Sequence, residues 1–328
     1  MQKPEIYPSV QSPTRLLAVV VLYKMRPCDS PTLRTLLNAL RETSRAELEI
    51  GIFIQDNTPG GQDSGGIPGE IRYEAAPENP GLAKAYNRAL DIAHAENYDW
   101  LLTLDQDTTL PTHFLTRIAK LTHTLESSPM IGAIVPQVID GDRNLSPFRF
   151  ALGAVPRWFR QGYIGISHQA TYALNSAATL RVAALRQIGG YDPMFPLDIS
   201  DISVFHRLYR YGHKVFLAGD LCIFHNFSLL DKHRRMSLDR YRALLWDECA
   251  FWDINMGRIA RLERMIRLAG RVCKDLLAPE EAAFRKITIT ELQRRLLTSR
   301  AKRIAEWTDW AMARCAFSGT TSDVQNTP

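Results

Sequence analysis

The feature that most constrains this chain is an apolar run that ends in two closely spaced carboxylates. After Trp100, residues 101–104 are apolar apart from one threonine, and Asp105-Gln106-Asp107 follows at once. The apolar run predicts a buried β-strand. In an extended segment, residues i and i+2 point to the same face, so Asp105 and Asp107 are predicted to converge. They would converge at the carboxyl end of a strand, which is the edge where open α/β sheets bind ligands.

Two adjacent carboxylates repel each other unless a cation lies between them. A hard divalent cation such as Mg²⁺ fits there, because it takes carboxylate oxygens and shares its remaining positions with substrate phosphates. A short pattern of this kind is also typical of a solvated turn after a strand. The choice between a metal site and a turn therefore depends on the rest of the chain.

Composition indicates an ordinary globular protein. The chain has 328 residues, 45% hydrophobic and 23% charged, which is enough for one large α/β domain with an appendage or for two domains. The net charge of +5 is compatible with contact to nucleotides or to an anionic membrane and establishes neither. We expect no nucleic-acid partner.

Cysteine usage and the amino-terminal residues indicate a cytoplasmic location, with the inner face of the cell membrane as the other candidate. The five cysteines are scattered and form no C-x-x-C pair, which argues against a disulfide scaffold or a structural zinc site. No basic region followed by an apolar core opens the chain, so we expect no signal peptide. The apolar run at residues 16–23 is too short to span a bilayer.

Strand and helix patterns alternate along the first two thirds of the chain. The predicted strands are residues 16–23, 48–55, 71–74, 100–104, 131–136 and 214–217, and the predicted helices are 32–43, 82–95, 112–125 and 202–211. Such alternation is typical of a mostly parallel sheet with helices on its faces. Ser30 is predicted to cap the first helix, with Pro31 at its first position. Residues 140–171 are expected to be irregular.

Right-handed crossovers would gather the strand ends at one rim of the sheet. Five residues are expected there: Asp56, Asn79, Gly81, Lys84 and Asp105. The Asp56 carboxylate could accept the imide N–H of uracil or thymine, or it could stabilise a turn. Lys84 could reach a pyrophosphate. Asn87 either faces the same rim or is an ordinary polar residue on a helix surface.

Several motifs occur in the order that characterises one enzyme family. They are Gln55-Asp56-Asn57, the stretch 79–87, Asp105-Gln106-Asp107, Leu174-Asn175-Ser176, Gly189-Gly190-Tyr191-Asp192, and Asp198 with Asp201. Over residues 15–230 the chain resembles the family 2 inverting glycosyltransferases, and it looks closest to their rhamnosyltransferase branch. The resemblance implies a GT-A-type, Rossmann-like fold with a mostly parallel central sheet flanked by helices.

The resemblance also implies a role for each matching position. Asp201 would be the general base on the acceptor hydroxyl, and Asp198 would lie in the acceptor pocket. A Mg²⁺ or Mn²⁺ ion would be bound by Asp105, Asp107 and His225. The residues implied in nucleotide-sugar binding are Tyr23, Asp56, Asn79, Gly81, Lys84, Asn87, Asp105 and Asn175. Asp198 and Asp201 could instead be ordinary helix N-terminal charges, and His225 could be a core or loop histidine.

The implied reaction is transfer of rhamnose or a related hexose from a dTDP- or UDP-sugar. The acceptor would be a hydroxyl of a saccharide or of a lipid-linked glycan in cell-surface polysaccharide synthesis. A sugar nucleotidyltransferase is an alternative, but its glycine-rich basic loop is missing after Tyr23. A non-catalytic nucleotide-sugar-binding relative is another, and the retained carboxylates argue against it.

Beyond residue 230 we expect a helical appendage. An aromatic helix is predicted at residues 244–254. The segment 258–274 is basic and amphipathic, which is typical either of contact with an anionic membrane or of a packed helix with a solvated basic face. A last helix is predicted at 290–316, capped by Thr290, with Leu296, Leu297 and Trp307 on a dimer or membrane face. The predicted divisions are therefore an arm at 1–14, a catalytic domain at 15–230, a helical region at 231–316 and a disordered tail at 317–328.

Overall fold

A computed structural model describes residues 13–151, 154–225 and 236–317 of the protein. The side chains of residues 225, 316 and 317 are not among the described parts. The arm predicted at 1–14 and the tail predicted at 317–328 lie almost wholly outside these ranges. The boundary predicted near residue 230 lies outside them as well.

Twelve strands and nine α-helices are present in the described residues. The strands are β1 (Thr14–Leu22), β2 (Leu48–Asp56), β3 (Arg72–Ala75), β4 (Trp100–Asp105), β5 (Thr108–Thr109), β6 (Ile131–Asp140), β7 (Arg143–Ser146), β8 (Phe148–Ala151), β9 (Val155–Trp158), β10 (Ile164–Ser167), β11 (Ala178–Arg181) and β12 (Lys214–His225). The helices are α1 (Pro31–Arg41), α2 (Leu82–Ala95), α3 (Phe114–Thr124), α4 (Val182–Gln187), α5 (Ser200–Arg210), α6 (Leu238–Asn255), α7 (Arg258–Asp275), α8 (Ala282–Leu297) and α9 (Arg300–Phe317).

The central sheet is mostly parallel, which confirms the predicted fold class. Its order is β10-β12-β6-β11-β4-β1-β2-β3. Strands β3, β2, β1 and β4 are parallel to one another, and β6 is parallel to β12. Strand β11 runs antiparallel between β4 and β6. It therefore begins at the edge where the parallel strands end, which brings the residues before it to that edge.

Helices cover both faces of the sheet. Along β1, Leu17, Val19 and Val21 pack with residues of α2, α4 and α5. Leu16, Ala18, Val20 and Leu22 alternate with them and pack with α1 and α3 on the other face. In a strand buried on both faces, polar and apolar residues do not alternate, which explains the continuous apolar run of β1. The Ser30 side chain accepts the Leu33 N–H and caps α1, as predicted.

Two predictions about secondary structure are wrong. Residues 140–171 were expected to be irregular, but they contain the short strands β7 to β10. Four-residue strands are too short for a reliable period in the sequence. The single helix predicted at 290–316 is two helices, because the Thr298 backbone is extended and the Ser299 hydroxyl accepts the Lys302 N–H at the start of α9. Thr290 lies inside α8 and caps nothing.

The carboxyl-terminal helices are held together by a buried cluster of charged side chains. The Asp253 carboxylate on α6 accepts two hydrogen bonds from Arg295, at 2.8 and 2.9 Å, and two from Arg303, at 3.0 and 3.2 Å. Asp253 and Arg295 are almost completely buried. Trp307, predicted on a dimer or membrane face, is buried against Phe195, with ring centroids 4.8 Å apart. No helix in the described ranges has the length and apolar content needed to cross a bilayer.

Replacing Asp253 should loosen these helices. The change Asp253→Ala leaves two largely buried guanidinium groups without their carboxylate, so the free energy of unfolding should fall by about 3–5 kcal/mol. Denaturant unfolding measures the difference. Asp309→Ala, at an exposed position of α9, is the matched control and should change stability by less than about 0.5 kcal/mol. Equal effects of the two substitutions would contradict the structural role of Asp253.

Candidate active site

A cleft of about 870 Å³ lies at the carboxyl edge of the parallel strands. Its walls come from the ends of β1 and β4, the start of α2, the residues before β11, the start of α5, and helices α6, α7 and α9. The predicted site residues that line it are Tyr23, Asn79, Gly81, Lys84, Asp105, Asp107, Asn175, Asp198 and Asp201. The described structure thus brings together most of the residues singled out in the sequence.

The two carboxylates after β4 face this cleft. Asp105 accepts the Ser176 hydroxyl proton at 2.5 Å and a longer hydrogen bond from the Tyr86 hydroxyl at 3.3 Å. Burial raises the pKa of the Tyr86 hydroxyl far above its usual range, so this group remains a donor. Asp107 is half-buried and also lines the cleft. Both side chains therefore present carboxylate oxygens at the same rim.

The turn that carries these carboxylates is held by the start of α1. The Thr32 hydroxyl contacts the Asp105 carbonyl oxygen at 2.5 Å and accepts the Thr108 N–H at 2.8 Å. The Ser30 hydroxyl donates to the Gln106 carbonyl at 2.7 Å. The sequence analysis missed the role of Thr32. The available signal was its place in the first turn of α1, since that turn must begin at the edge where β1 ends.

Asn175 is positioned by a pair of buried tyrosines in contact with each other. The Tyr191 hydroxyl donates to Asn175 Oδ1 at 2.9 Å, and the Tyr191 ring lies 5.0 Å from the ring of Tyr86. Asn87, expected at the nucleotide rim, does not line the cleft. Its side-chain amide instead bonds the backbone N–H and carbonyl of Tyr191, at 2.7 and 2.8 Å. Asn87 therefore acts on the cleft indirectly, through Tyr191 and Asn175.

Gly81 allows the loop before α5 to approach the start of α2. Its φ is +86°, and a Cβ atom here would lie 2.8 Å from the Pro196 carbonyl oxygen. That oxygen accepts the Leu82 N–H at 2.7 Å. The start of α2 is therefore capped by the loop that carries Asp198, which links the two walls of the cleft.

Asp201 lies in the first turn of α5 and is partly buried. Burial is the main cause that raises its carboxyl pKa to about 8, and the negative charges of Asp105 and Asp198 add to the effect. The Ile202 N–H donates to the Asp201 carboxylate at 2.7 Å and opposes part of this rise. A carboxyl with a pKa near neutrality is suited to exchanging a proton with a bound hydroxyl.

Asp198 forms an ion pair with a residue of the carboxyl-terminal helices. Arg240 on α6 donates to its carboxylate at 3.0 Å. Burial raises the pKa of the Asp198 carboxyl, and the Arg240 charge partly offsets the rise. Helix α6 thus contributes directly to the cleft wall that carries Asp198.

Asp56 does not line the cleft. Its side chain is buried, accepts the Thr58 N–H at 2.9 Å, and accepts the Tyr73 hydroxyl proton at 2.6 Å. The first bond closes a turn after β2. The neighbouring Asn57 does line the cleft. A base-binding role for Asp56 would require replacement of the Tyr73 hydrogen bond.

The backbone of His225 is close to the carboxylate pair. Strand β12 pairs His225 with Thr108, the residue that follows Asp107. Its side chain lies outside the described parts of the chain, so its predicted role as a metal ligand stays a prediction. Among the described residues, no group of three or more His, Cys, Asp or Glu side chains is arranged to hold a metal ion.

Two arginines of the carboxyl-terminal helices contribute to the cleft wall, and the sequence did not predict this. Arg314 on α9 donates to the buried Asp247 carboxylate at 3.0 and 3.1 Å. Arg271 on α7 lies 3.7 Å from Glu248. Both arginines line the cleft. Their partners are far away in sequence or on another helix, so no local pattern marks them.

The sequence matches a model of glycosyl transferase family 2 over residues 19–189. This is more than half of the chain, which therefore belongs to glycosyltransferase family 2. No curated protein matches the sequence.

Structural comparison finds solved structures similar to this chain at low sequence identity. GalNAc-T7, crystallised with UDP, GalNAc and Mn²⁺, is 12% identical, with a TM-score of 0.50 over 73% of this chain and 50% of that chain. The chain thus spans about half the length of GalNAc-T7. S. aureus TarS 1–349 is 12% identical, with a TM-score of 0.49 over 85% of this chain and 92% of that chain.

The raised pKa of the Asp201 carboxyl should make stability depend on pH. Because its folded-state pKa is about 8 against an ordinary 3.8, the folded protein holds a proton that the unfolded chain releases, and stability falls as pH rises between these values. Asp201→Asn cannot ionise. Its melting temperature relative to wild type should therefore be higher at pH 9 than at pH 5, measured by calorimetry. Asp91→Asn, on the exposed surface of α2, is the control. If the difference in melting temperature between Asp201→Asn and wild type did not change with pH, the raised pKa would be contradicted.

Proposed function

We propose that this protein transfers a sugar from a nucleoside-diphosphate sugar to an acceptor hydroxyl, with inversion at the anomeric carbon. One observation carries the proposal: in a chain of glycosyltransferase family 2, Asp201 at the start of α5 lines the same cleft as Asp105 and Asp107 at the end of β4. Inversion requires the hydroxyl to attack from the side opposite the leaving diphosphate. A base on one wall and an anion-stabilising site on the other meet this requirement.

In this proposal Asp201 takes the proton from the attacking hydroxyl. It must be ionised to do so, and its pKa of about 8 makes its carboxylate a stronger base than an ordinary aspartate. The Ile202 N–H keeps the side chain in place at the helix start. The Asp198 carboxylate and its partner Arg240 offer polar contacts for the acceptor beside it.

The carboxylates after β4 fit a divalent cation that arrives with the donor. Mg²⁺ is usually bound through one or two carboxylates, with substrate phosphates completing its shell. Asp105 and Asp107 provide this number of carboxylates at one rim, and His225 is a further candidate ligand. A bound Mg²⁺ or Mn²⁺ would supply positive charge that stabilises the leaving diphosphate. The turn bonded by Thr32 would keep both carboxylates in position.

The remaining rim residues are proposed to hold the donor. Lys84 offers an ammonium group to the diphosphate, Asn175 a fixed amide to the sugar, and Tyr23 an exposed ring. Asn79 and Gly81 shape the rim, and Asp56 remains the proposed nucleobase contact. We propose a dTDP- or UDP-sugar as donor, with rhamnose or a related hexose. The acceptor would be a saccharide or lipid-linked glycan at the inner face of the cell membrane.

Removing the proposed base should slow turnover without weakening donor binding. Asp201→Asn retains the size of the side chain but cannot accept a proton, so turnover should fall by roughly 10²–10⁴-fold. A panel of nucleotide sugars with Mn²⁺ would first identify the donor through its slow hydrolysis. Calorimetry would then compare donor affinity, with Asp91→Asn as the control variant. Loss of donor affinity with an unchanged rate per bound donor would instead assign Asp201 to the nucleotide site.

Donor binding should depend on a divalent cation. After treatment with EDTA, calorimetry should show much weaker nucleotide binding, and added Mn²⁺ or Mg²⁺ should restore it, because the carboxylate pair otherwise repels the diphosphate. Asp107→Asn should raise the cation concentration needed for half-maximal binding by about tenfold or more. Full nucleotide affinity and turnover in EDTA would refute the metal site. Tight nucleotide binding without turnover of any donor would instead favour a non-catalytic binding protein.

A further inference from the structure

Helix α7 exposes a row of large apolar side chains. Ile259 is 74% exposed, Leu262 60% and Ile266 64%, and Leu277, two residues after the helix, is 88% exposed. Exposed apolar side chains are ordinary when they occur singly. Here three of them lie along one helix and the fourth follows it, and we call these four residues the apolar stripe.

Helical geometry puts the stripe on the side of α7 that faces away from the protein. At about 100° per residue, the three stripe residues on the helix, Ile259, Leu262 and Ile266, fall within an arc of roughly 60°. The opposite side carries Ala260, Arg264 and Leu268, which are buried. The stripe is therefore the outer face of a helix whose inner face packs against α6 and α8.

Exposed cations border the stripe on both sides. On the same helical projection, Arg258 lies on one side of it and Arg267 and Lys274 on the other, and all three are exposed. The acidic residues of α7 are Glu263, which is partly buried, and Asp275, which is buried. The fully exposed charges of this helix are thus all positive. Arg264, grouped in the sequence with the exposed basic face, instead pairs with Glu248 inside the protein.

We infer that the outer face of α7 docks the protein on an anionic lipid bilayer. An apolar stripe bordered by cations is the pattern of helices that lie in the membrane interface. The apolar side chains would enter the acyl boundary while Arg258, Arg267 and Lys274 contact anionic head groups. A second copy of the chain is a poorer occupant, since a two-fold contact through this face would oppose positive charges with positive charges.

This docking would hold the cleft close to the lipid surface. Arg271 on the inner side of α7 lines the cleft, and an α-helix with its side chains is only about 10–12 Å across. The cleft wall would therefore lie one helix diameter above the head groups. That position favours a lipid-linked acceptor among those proposed above, but the docking itself does not rest on the proposed reaction.

Vesicle sedimentation without donor or acceptor tests the inference. We expect the full-length protein to sediment with vesicles of phosphatidylglycerol and phosphatidylcholine at low salt, and much less with phosphatidylcholine alone. The variant Ile259→Ser/Leu262→Ser/Ile266→Ser should bind the anionic vesicles at least about tenfold more weakly. The variant Arg258→Glu/Arg267→Glu/Lys274→Glu should lose binding and its dependence on salt.

A matched charge control uses basic residues on another part of the surface. Arg34→Glu/Arg45→Glu/Lys120→Glu changes the net charge equally at exposed positions on and near α1 and α3, and it should keep most of the vesicle binding. Equal losses in the two charge variants would show a non-specific attraction and overturn the inference. A wild-type protein that ignores anionic vesicles would overturn it too, as would one that dimerises through the stripe without binding lipid.

A fluorescent probe can report which face meets the lipid. Cys273 is exposed beside the stripe, and Cys28 is exposed in the 3₁₀ turn before α1. With the other cysteines replaced by serine, an environment-sensitive dye on Cys273 should shift its emission to the blue when anionic vesicles are added. The same dye on Cys28 should not shift. A shift at Cys28 alone would assign the docking surface to another part of the protein.

Discussion

The placement of two carboxylates at the end of β4 is the constraint on which the rest of the site depends. The two aspartates are one residue apart, and the Thr32 hydroxyl holds the backbone of their turn by bridging Asp105 and Thr108. The antiparallel strand β11 begins at the same edge, which brings Ser176 against Asp105. The sheet topology therefore brings the carboxylates after β4 and the residues before β11 to the same edge.

The raised pKa of Asp201 has opposite consequences for its strength as a base and for protein stability. A carboxyl with a pKa raised to about 8 is a better base, but its charged form destabilises the folded protein. Asp105 contributes to this rise, so the cleft wall at the end of β4 and the wall at the start of α5 are electrostatically coupled. The Arg240–Asp198 pair extends the coupling to α6. The carboxyl-terminal helices are in this sense part of the site rather than an addition to it.

Local patterns in the sequence predicted the parallel sheet, and most of the site residues predicted from them line the cleft. Residues such as Asp105 and Gly81 could be predicted because they lie at a strand end or in a turn, and both features are recognised from a few consecutive positions. Three contacts were not predicted because the partners are distant in sequence: Thr32 with Asp105, Asn87 with Tyr191, and Arg314 with Asp247. The sequence also did not show which face of α7 is buried, since the burial of Arg264 depends on Glu248 of another helix.

The most direct test of the account is the pH dependence of kcat/KM for the wild-type protein with its metal and donor. This quantity reports ionisation of the free enzyme. If Asp201 is the base, kcat/KM should rise about tenfold per pH unit at low pH. Its half-maximal value should fall well above pH 3.8 and at or below about pH 8, because neutralisation of Asp105 by a cation can only lower that midpoint. A rate that is constant from acidic to alkaline pH would contradict the assignment of Asp201 as the general base.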